Sequence, residues 1–204
     1  MTSIETLMRS VPVIPVLVID DVAHAVPVAR ALVAGGLTVL EVTLRTPCAL
    51  DVMHEMARVP GAIVGAGTVL NEQDLRASID AGAQFIVSPG LTEPLGRAAV
   101  ASGIPFLPGV ANAGDIMRGL DMGLRHFKFF PAATSGGIPA LKALTGPFGD
   151  VQFCPTGGVT LESAADWLAI PQVLCVGGSW VVPKGAPDEA AITAAAQAAS
   201  ALKR

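Results

Sequence analysis

The run VPVIPVLVIDDVAHAVPVARALVAGG, Val11–Gly36, holds a complete structural unit. Val11 to Ile19 is a β-branched, apolar run of strand length. Asp20-Asp21 supplies a helix cap, Val22 to Ala34 has the composition and spacing of a helix, and Gly35-Gly36 stops it. Working outward, the same unit recurs. Strands are expected at Thr38–Leu44, Ala62–Thr68, Phe85–Gly90, Pro105–Val110, His126–Ala132, Val151–Gly158 and Val173–Val182. Helices are expected at about Pro47–Arg58, Asn71–Asp80, Glu93–Ser102, Ala113–Met122, Ile138–Leu144, Leu161–Ala169 and Asp188–Leu202, with a short helix ahead of the first strand. Asn71 is a natural N-cap with Asp74 three residues on. Parallel strands need crossover helices, and eight such units close most naturally into a (β/α)8 TIM barrel. An open doubly wound sheet is the competitor, but no G-x-G-x-x-G follows the first strand. At 204 residues the chain, 1–204, reads as one domain.

A barrel carries reactive groups near the C-terminal ends of its strands. In the second strand Val39, Glu41, Thr43 and Arg45 share one face by the period of two, and Leu40, Val42 and Leu44 share the other. The apolar face should meet the helices, so Glu41 and Arg45 point inward. An internal Glu–Arg salt bridge is the structural alternative, though four residues along a strand separate their stems by roughly 13 Å. The sixth strand contains one of only four lysines, Lys128, among Phe127, Phe129 and Phe130. Parity turns Lys128 and Phe130 inward, where Glu41 and Lys128 can meet across the lumen. A structural Lys–Glu ion pair and an amine kept neutral by desolvation are both readings of this arrangement. The seventh strand ends Pro155-Thr156-Gly157-Gly158, and the eighth contains Gly177-Gly178-Ser179. Glycines there let backbone N–H groups approach a phosphate closely, beside the helix that Val159 and Thr160 open.

Bulk composition narrows the partners. Hydrophobic residues make up 51% and charged residues 15%, as suits strands buried on both faces. A net charge of -4 gives no basic footprint for nucleic acid. No apolar run approaches the roughly 20 residues that span a bilayer, and MTSIETLMRS does not read as a signal peptide, so the cytoplasm is expected and no membrane partner. Cys48, Cys154 and Cys175 are expected as reduced, largely buried thiols. His24, His54 and His126 lack metal-ligand spacing, and no metal site is expected.

An amine desolvated by Phe127, Phe129 and Phe130 would have a lowered pKa and could attack a ketone to give a Schiff base. Glu41 could move protons, Arg45 could grip a carboxylate, and the glycine ends could hold a phosphate. The implied substrate is an α-keto acid with a terminal phosphate, made or broken by aldol chemistry.

The motifs Glu41-Val42-Thr43-Leu44-Arg45-Thr46, Gly65-Ala66-Gly67-Thr68-Val69-Leu70, Ser88-Pro89-Gly90, Phe127-Lys128-Phe129-Phe130-Pro131-Ala132, Cys154-Pro155-Thr156-Gly157-Gly158 and Gly177-Gly178-Ser179-Trp180 run nearly the whole chain. In this it closely resembles the family of 2-keto-3-deoxy-6-phosphogluconate (KDPG) and 4-hydroxy-2-oxoglutarate aldolases, class I enzymes of the Entner–Doudoroff pathway. The resemblance implies that Lys128 is the Schiff-base lysine and Glu41 the general acid/base. It implies that Arg45 and Thr68 bind the pyruvate carboxylate, Phe130 contacts substrate, Thr156 meets the substrate hydroxyls, and Gly157, Gly158 and Ser179 bind phosphate. It further implies pyruvate and glyceraldehyde 3-phosphate as products, a homotrimer, and no cofactor, since the protonated imine is the electron sink. One departure is visible: the loop after the fifth strand offers Asn112 as a helix cap, with Asp115 three residues on, where the family often has Ser or Thr. Two rival readings remain at this stage, a sugar-phosphate isomerase or epimerase with Glu41 as base and Lys128 as a fixed cation, and a non-catalytic sugar-phosphate binder.

Overall fold

The computed structural model describes residues 2–203. Helix α1 spans Ile4–Ser10, with Ser3 accepting the Thr6 N–H as its cap, and buries Leu7 and Met8. The strands follow as β1 Val13–Leu17, β2 Val39–Thr43, β3 Ile63–Gly67, β4 Ile86–Val87, β5 Phe106–Leu107, β6 Gly109–Val110, β7 His126–Phe129, β8 Gln152–Pro155 and β9 Val176–Gly178. Between and after them lie α2 Ala25–Ala34, α3 Ala49–Ala57, α4 Glu72–Asp80, α5 Glu93–Ser102, α6 Ala113–Asp121, α7 Gly137–Thr145, α8 Leu161–Leu168 and α9 Glu189–Ser200. A 3-10 turn at Val22–His24, capped by Asp21, leads into α2, so the expected single helix there starts as a separate turn.

Every strand pairing is parallel. The ladders run β5-β4-β3-β2-β1-β9 and β6-β7-β8. Two seams join them into a ring of eight strand positions. At one, β5 and β6 are the halves of the expected fifth strand, divided at Pro108. Proline has no N–H to contribute to a ladder, but the Pro108 carbonyl accepts the Lys128 N–H at 2.8 Å. At the other, Phe153 and Thr156 bridge to Val173 and Gly177. The expected (β/α)8 barrel is therefore the observed one, and closure leaves no long unpaired edge.

The strands are shorter than expected, and they lose residues mainly at their C-terminal ends. Ser88-Pro89-Gly90, Phe130-Pro131, Thr156-Gly157-Gly158 and Ser179 leave the regular ladder and form loops at the barrel mouth. Proline removes a ladder donor, and Gly157 and Gly158 adopt left-handed φ of 96° and 78°, which ends extended structure. Outward-facing side chains make the core. Phe129 meets Trp167 of α8 at 6.4 Å between ring centroids, and Phe127 lies over Gly119 of α6. No helix among the described residues is long and apolar enough to cross a membrane.

Helix α1 lies across the other end of the barrel. Its Leu7 joins Ile63, Gln84 and Ile104, near the starts of β3, β4 and β5, around a cavity of about 340 Å3. Its Glu5 approaches His126, at the start of β7, with 3.7 Å between Oε2 and Nε2. Burial pushes the His126 imidazole below its ordinary value, against a weaker upward pull from Glu5. Glu5 itself is held low, first by the hydrogen bond that Arg9 donates at 2.9 Å.

A buried imidazole that resists protonation stabilises the fold where the unfolded histidine is also neutral, above about pH 6.5. Below that, the unfolded chain binds the proton more readily, and the contribution falls as pH falls. Thermal unfolding of His126→Gln should therefore lose less stability than the parent chain between pH 7.5 and 5.5. Parallel losses in the two proteins would contradict this assignment.

Candidate active site

The inward face of the barrel carries a buried ion pair. Glu41 lies in the middle of β2 and Lys128 in the third position of β7, and both are directed into the lumen by the strand period of two. Lys128 Nζ donates to Glu41 Oε1 at 3.0 Å, with the side chains 6% and 4% exposed. The expected meeting of the two across the lumen is thus observed, and the alternative Glu41–Arg45 bridge is not formed. Water is largely excluded from both groups, so a proton passing between them need not cross solvent.

The aromatic surroundings differ from the expectation. Phe127 and Phe129 face the helix layer, against α6 and α8, and cannot wall the amine. The reason is the same strand parity that sends Lys128 inward. Only Phe130, past the end of β7, turns back over the amine, with Nζ 5.4 Å from its ring centroid. The amine's immediate environment is therefore a carboxylate and one aromatic face, and three phenylalanines do not desolvate it together. A cis peptide joins Phe130 to Pro131.

Phe130 also borders a cavity of about 190 Å3, together with Val16, Arg45, Thr156, Gly157, Gly158, Val159, Gly177 and Ser179. Arg45 lies in the turn after β2, where its N–H donates to the Thr43 carbonyl at 2.8 Å, so the strand face that was expected to carry it ends two residues earlier. The turn nevertheless brings its guanidinium to the mouth, where Nε donates to Thr68 Oγ1 at 3.3 Å. Thr68, just past β3, has φ of 60°. A β-branched residue is rarely found in that left-handed region, and such strain is typical of ligand sites. Arg45 presents a cation to one side of the cavity, with the Thr68 hydroxyl hydrogen-bonded behind it.

The other side is backbone. The Thr156 carbonyl accepts the Ala132 N–H at 2.8 Å, and the Gly157 carbonyl accepts the Ala133 N–H at 2.9 Å. In a trans peptide the N–H points opposite to the carbonyl, so the Gly157 and Gly158 N–H groups are turned away from the β7 loop. Side chains could not replace these glycines easily, because a Cβ on Gly158 would lie 2.5 Å from the Ala133 methyl. Helix α8 starts at Leu161, as expected. Thr160 and Ser163 form a capping box there, which occupies the Thr160 and Ser163 N–H groups at 3.0 and 3.3 Å. Ser179 is exposed at the rim, while Thr156 is buried and hydrogen-bonds the Cys154 carbonyl at 3.3 Å.

All nine residues singled out from the sequence, Lys128, Glu41, Arg45, Thr68, Phe130, Thr156, Gly157, Gly158 and Ser179, thus belong to one end of the barrel. Val16 and Gly67 belong to the same neighbourhood but carry no chemical group: the Gly65–Leu70 motif contains Gly67 without giving it a role, and Val16 lies in no motif. The one sequence signal for Gly67 is glycine at 65 and 67, on a single face of a strand interior. In the loop after β6, Asn112 caps α6 by accepting the Asp115 N–H at 3.0 Å, and Asp115 accepts the Ala111 N–H at 3.0 Å. The same arrangement recurs at Asn71 and Asp74, with the Leu70 N–H. Cys154 and Cys175 are buried and Cys48 is half-buried. Among the described residues no cluster of three or more His, Cys, Asp or Glu side chains is placed to hold a metal ion.

Comparison with known proteins agrees with this geometry. Residues 4–195 match the sequence profile of the KDPG and KHG aldolase family. The crystal structure of the 2-keto-3-deoxy-6-phosphogluconate aldolase of Zymomonas mobilis ZM4 with 3-phosphoglycerate is 61% identical, with a TM-score of 0.98 over 100% of this chain and 98% of that one. The KDPG aldolase of Legionella pneumophila, with pyruvate captured at low pH as a covalent carbinolamine intermediate, is 46% identical. Its TM-score is 0.95 over 98% of this chain and 99% of that one. The KHG/KDPG aldolase of Escherichia coli is 55% identical over 91% of this chain and 87% of its own length.

Proposed function

The chain belongs to the KDPG and KHG aldolase family, and from that premise we propose the reaction and the residues that perform it. It is an aldehyde-lyase that cleaves 2-keto-3-deoxy-6-phosphogluconate to pyruvate and glyceraldehyde 3-phosphate through a Schiff base on Lys128. The observation that carries the residue assignment is the buried contact of 3.0 Å between Lys128 Nζ and Glu41 Oε1.

An ammonium cannot attack a carbonyl, and Glu41 is the acceptor within reach of its proton. The freed amine adds to C2 of the keto acid, and Glu41 returns its proton to the departing hydroxyl, so that loss of water gives the iminium and leaves Glu41 a carboxylate again. Arg45 and Thr68 hold the carboxylate beside it, and Arg45 is suited to a bidentate grip. Phe130 bounds the keto-acid end. Glu41 next takes the proton of the C4 hydroxyl as the C3–C4 bond breaks, and the electrons of that bond pass into the iminium to give an enamine. The aldehyde leaves, C3 is protonated, and water releases pyruvate from Lys128. Thr156 orients the hydroxyls, while the N–H groups of Gly157 and Gly158 and the Ser179 hydroxyl hold the phosphate. The protonated imine acts as the electron sink. The pyruvate half of 4-hydroxy-2-oxoglutarate would meet the same groups, so the unphosphorylated acid is a second substrate. We further place this activity in the Entner–Doudoroff route in the cytoplasm, on one (β/α)8 domain assembled as a homotrimer.

Borohydride added with pyruvate should trap one adduct, and peptide mass mapping should locate it on Lys128. Lys128→Ala should lose both adduct and turnover. An adduct elsewhere would remove Lys128 from its role. Glu41→Gln should lower kcat by about 10²-fold or more while trapping persists in part. Ser179→Ala should raise KM for the phosphorylated substrate and leave that for 4-hydroxy-2-oxoglutarate nearly unchanged. Equal effects on both substrates would move the phosphate site elsewhere. Light scattering should give about three chain masses and cell fractionation a cytoplasmic enzyme. A monomer or a membrane-bound pool would refute these last assignments.

A further inference from the structure

We infer that Gly67 is a positioning residue for Glu41, and that the side chain missing at position 67 is the seat of the catalytic carboxylate. The inference rests on the proposed role of Glu41 and extends it to a residue with no functional group.

Gly67 closes β3, and its register partner on β2 is Thr43. Its φ is not among the left-handed ones, so the backbone there would accept any L-residue. Conformation therefore does not explain this glycine. Space does: a Cβ built at position 67 would overlap Glu41 Oε1 and lie 2.6 Å from Cγ and 2.8 Å from Cδ. Those three nearest atoms all belong to Glu41. Gly65, on the same face of β3, has a different neighbour, the Phe85 ring at 2.5 Å. Of the two glycines, one makes room for packing and the other for a carboxylate.

The consequence follows from burial. Glu41 is 3% exposed, so a displaced carboxylate has no solvent to retreat into. With glycine at 67 the carboxyl group lies against β3 and keeps Oε1 at 3.0 Å from Lys128 Nζ. A methyl group there would drive it aside, and proton transfer falls steeply once donor and acceptor leave hydrogen-bond reach. None of those three nearest atoms belongs to Arg45 or to the phosphate-side groups, so substrate binding should be affected much less.

The test is a double-mutant cycle on the full-length enzyme, with steady-state KDPG cleavage and thermal unfolding as readouts. Gly67→Ala should lower kcat by about 10²-fold and change KM by less than about threefold. In a Glu41→Ala background, adding Gly67→Ala should alter neither residual kcat by more than about twofold nor the unfolding temperature, because the group it displaces is gone. If Gly67→Ala alone does not fold, Gly67→Ala/Glu41→Ala should fold like Glu41→Ala; a double variant that also fails would overturn the inference. Wild-type kcat in Gly67→Ala, or an equal loss in both backgrounds, would overturn it too. Either result with Glu41→Gln still impaired would leave the role of Glu41 standing. Normal turnover of Glu41→Gln would remove that role and the inference together.

Discussion

A carboxylate and an amine taken out of water each cost several kcal/mol, and the attraction between them repays this only when geometry is close and other polar needs are met. Glu41 and Lys128 satisfy the first condition with a single contact of 3.0 Å inside a largely apolar barrel. A pair of well-packed hydrophobic residues would fill the same volume at lower cost. The pair is thus weakly explained as a stabilising device and well explained as a proton-handling one. Much of the remaining architecture serves to hold it: β2 and β7 bring the two chains to the lumen from strands that are not neighbours, and parity turns both side chains inward.

The rest of the site follows from what the strands do after they leave the ladder. Proline and left-handed glycine end β7 and β8 early, and the freed segments become the rim. Two kinds of recognition result. One side offers side-chain groups, the guanidinium of Arg45 and the hydroxyl of Thr68. The other offers backbone N–H groups, exposed because the glycine loop turns its carbonyls toward the β7 loop. In the proposed reaction these poles take the two anionic ends of one substrate, and the reacting carbons lie between them over Lys128. Space in the lumen is made by missing side chains, with Thr156 occupying the room beside Gly177 as Glu41 does beside Gly67.

Much of this was legible in the sequence, because period and punctuation are local. Eight repeats of strand and helix led to the barrel, and the alternation through Val39–Arg45 and His126–Phe130 put Glu41 and Lys128 on inner faces. What the sequence could not carry was non-local. The outward faces of Phe127 and Phe129 were already implied by parity, yet their role as helix-layer packing against Gly119 and Trp167 depends on elements far along the chain. The split of the fifth strand depends on where Pro108 falls relative to two neighbours. Gly67 is invisible as chemistry, since its contribution is volume that belongs to a residue on another strand.

In the proposed reaction Glu41 moves the protons while Lys128 holds the carbon skeleton. NMR of the pyruvate methyl group in D2O reads this most directly, because methyl exchange needs the imine on Lys128 and then proton transfer at C3 by the carboxylate. Glu41→Gln should exchange the methyl hydrogens at least about 10²-fold more slowly than the parent enzyme at equal occupancy of the trapped imine. Exchange at the parental rate with that imine formed would contradict it.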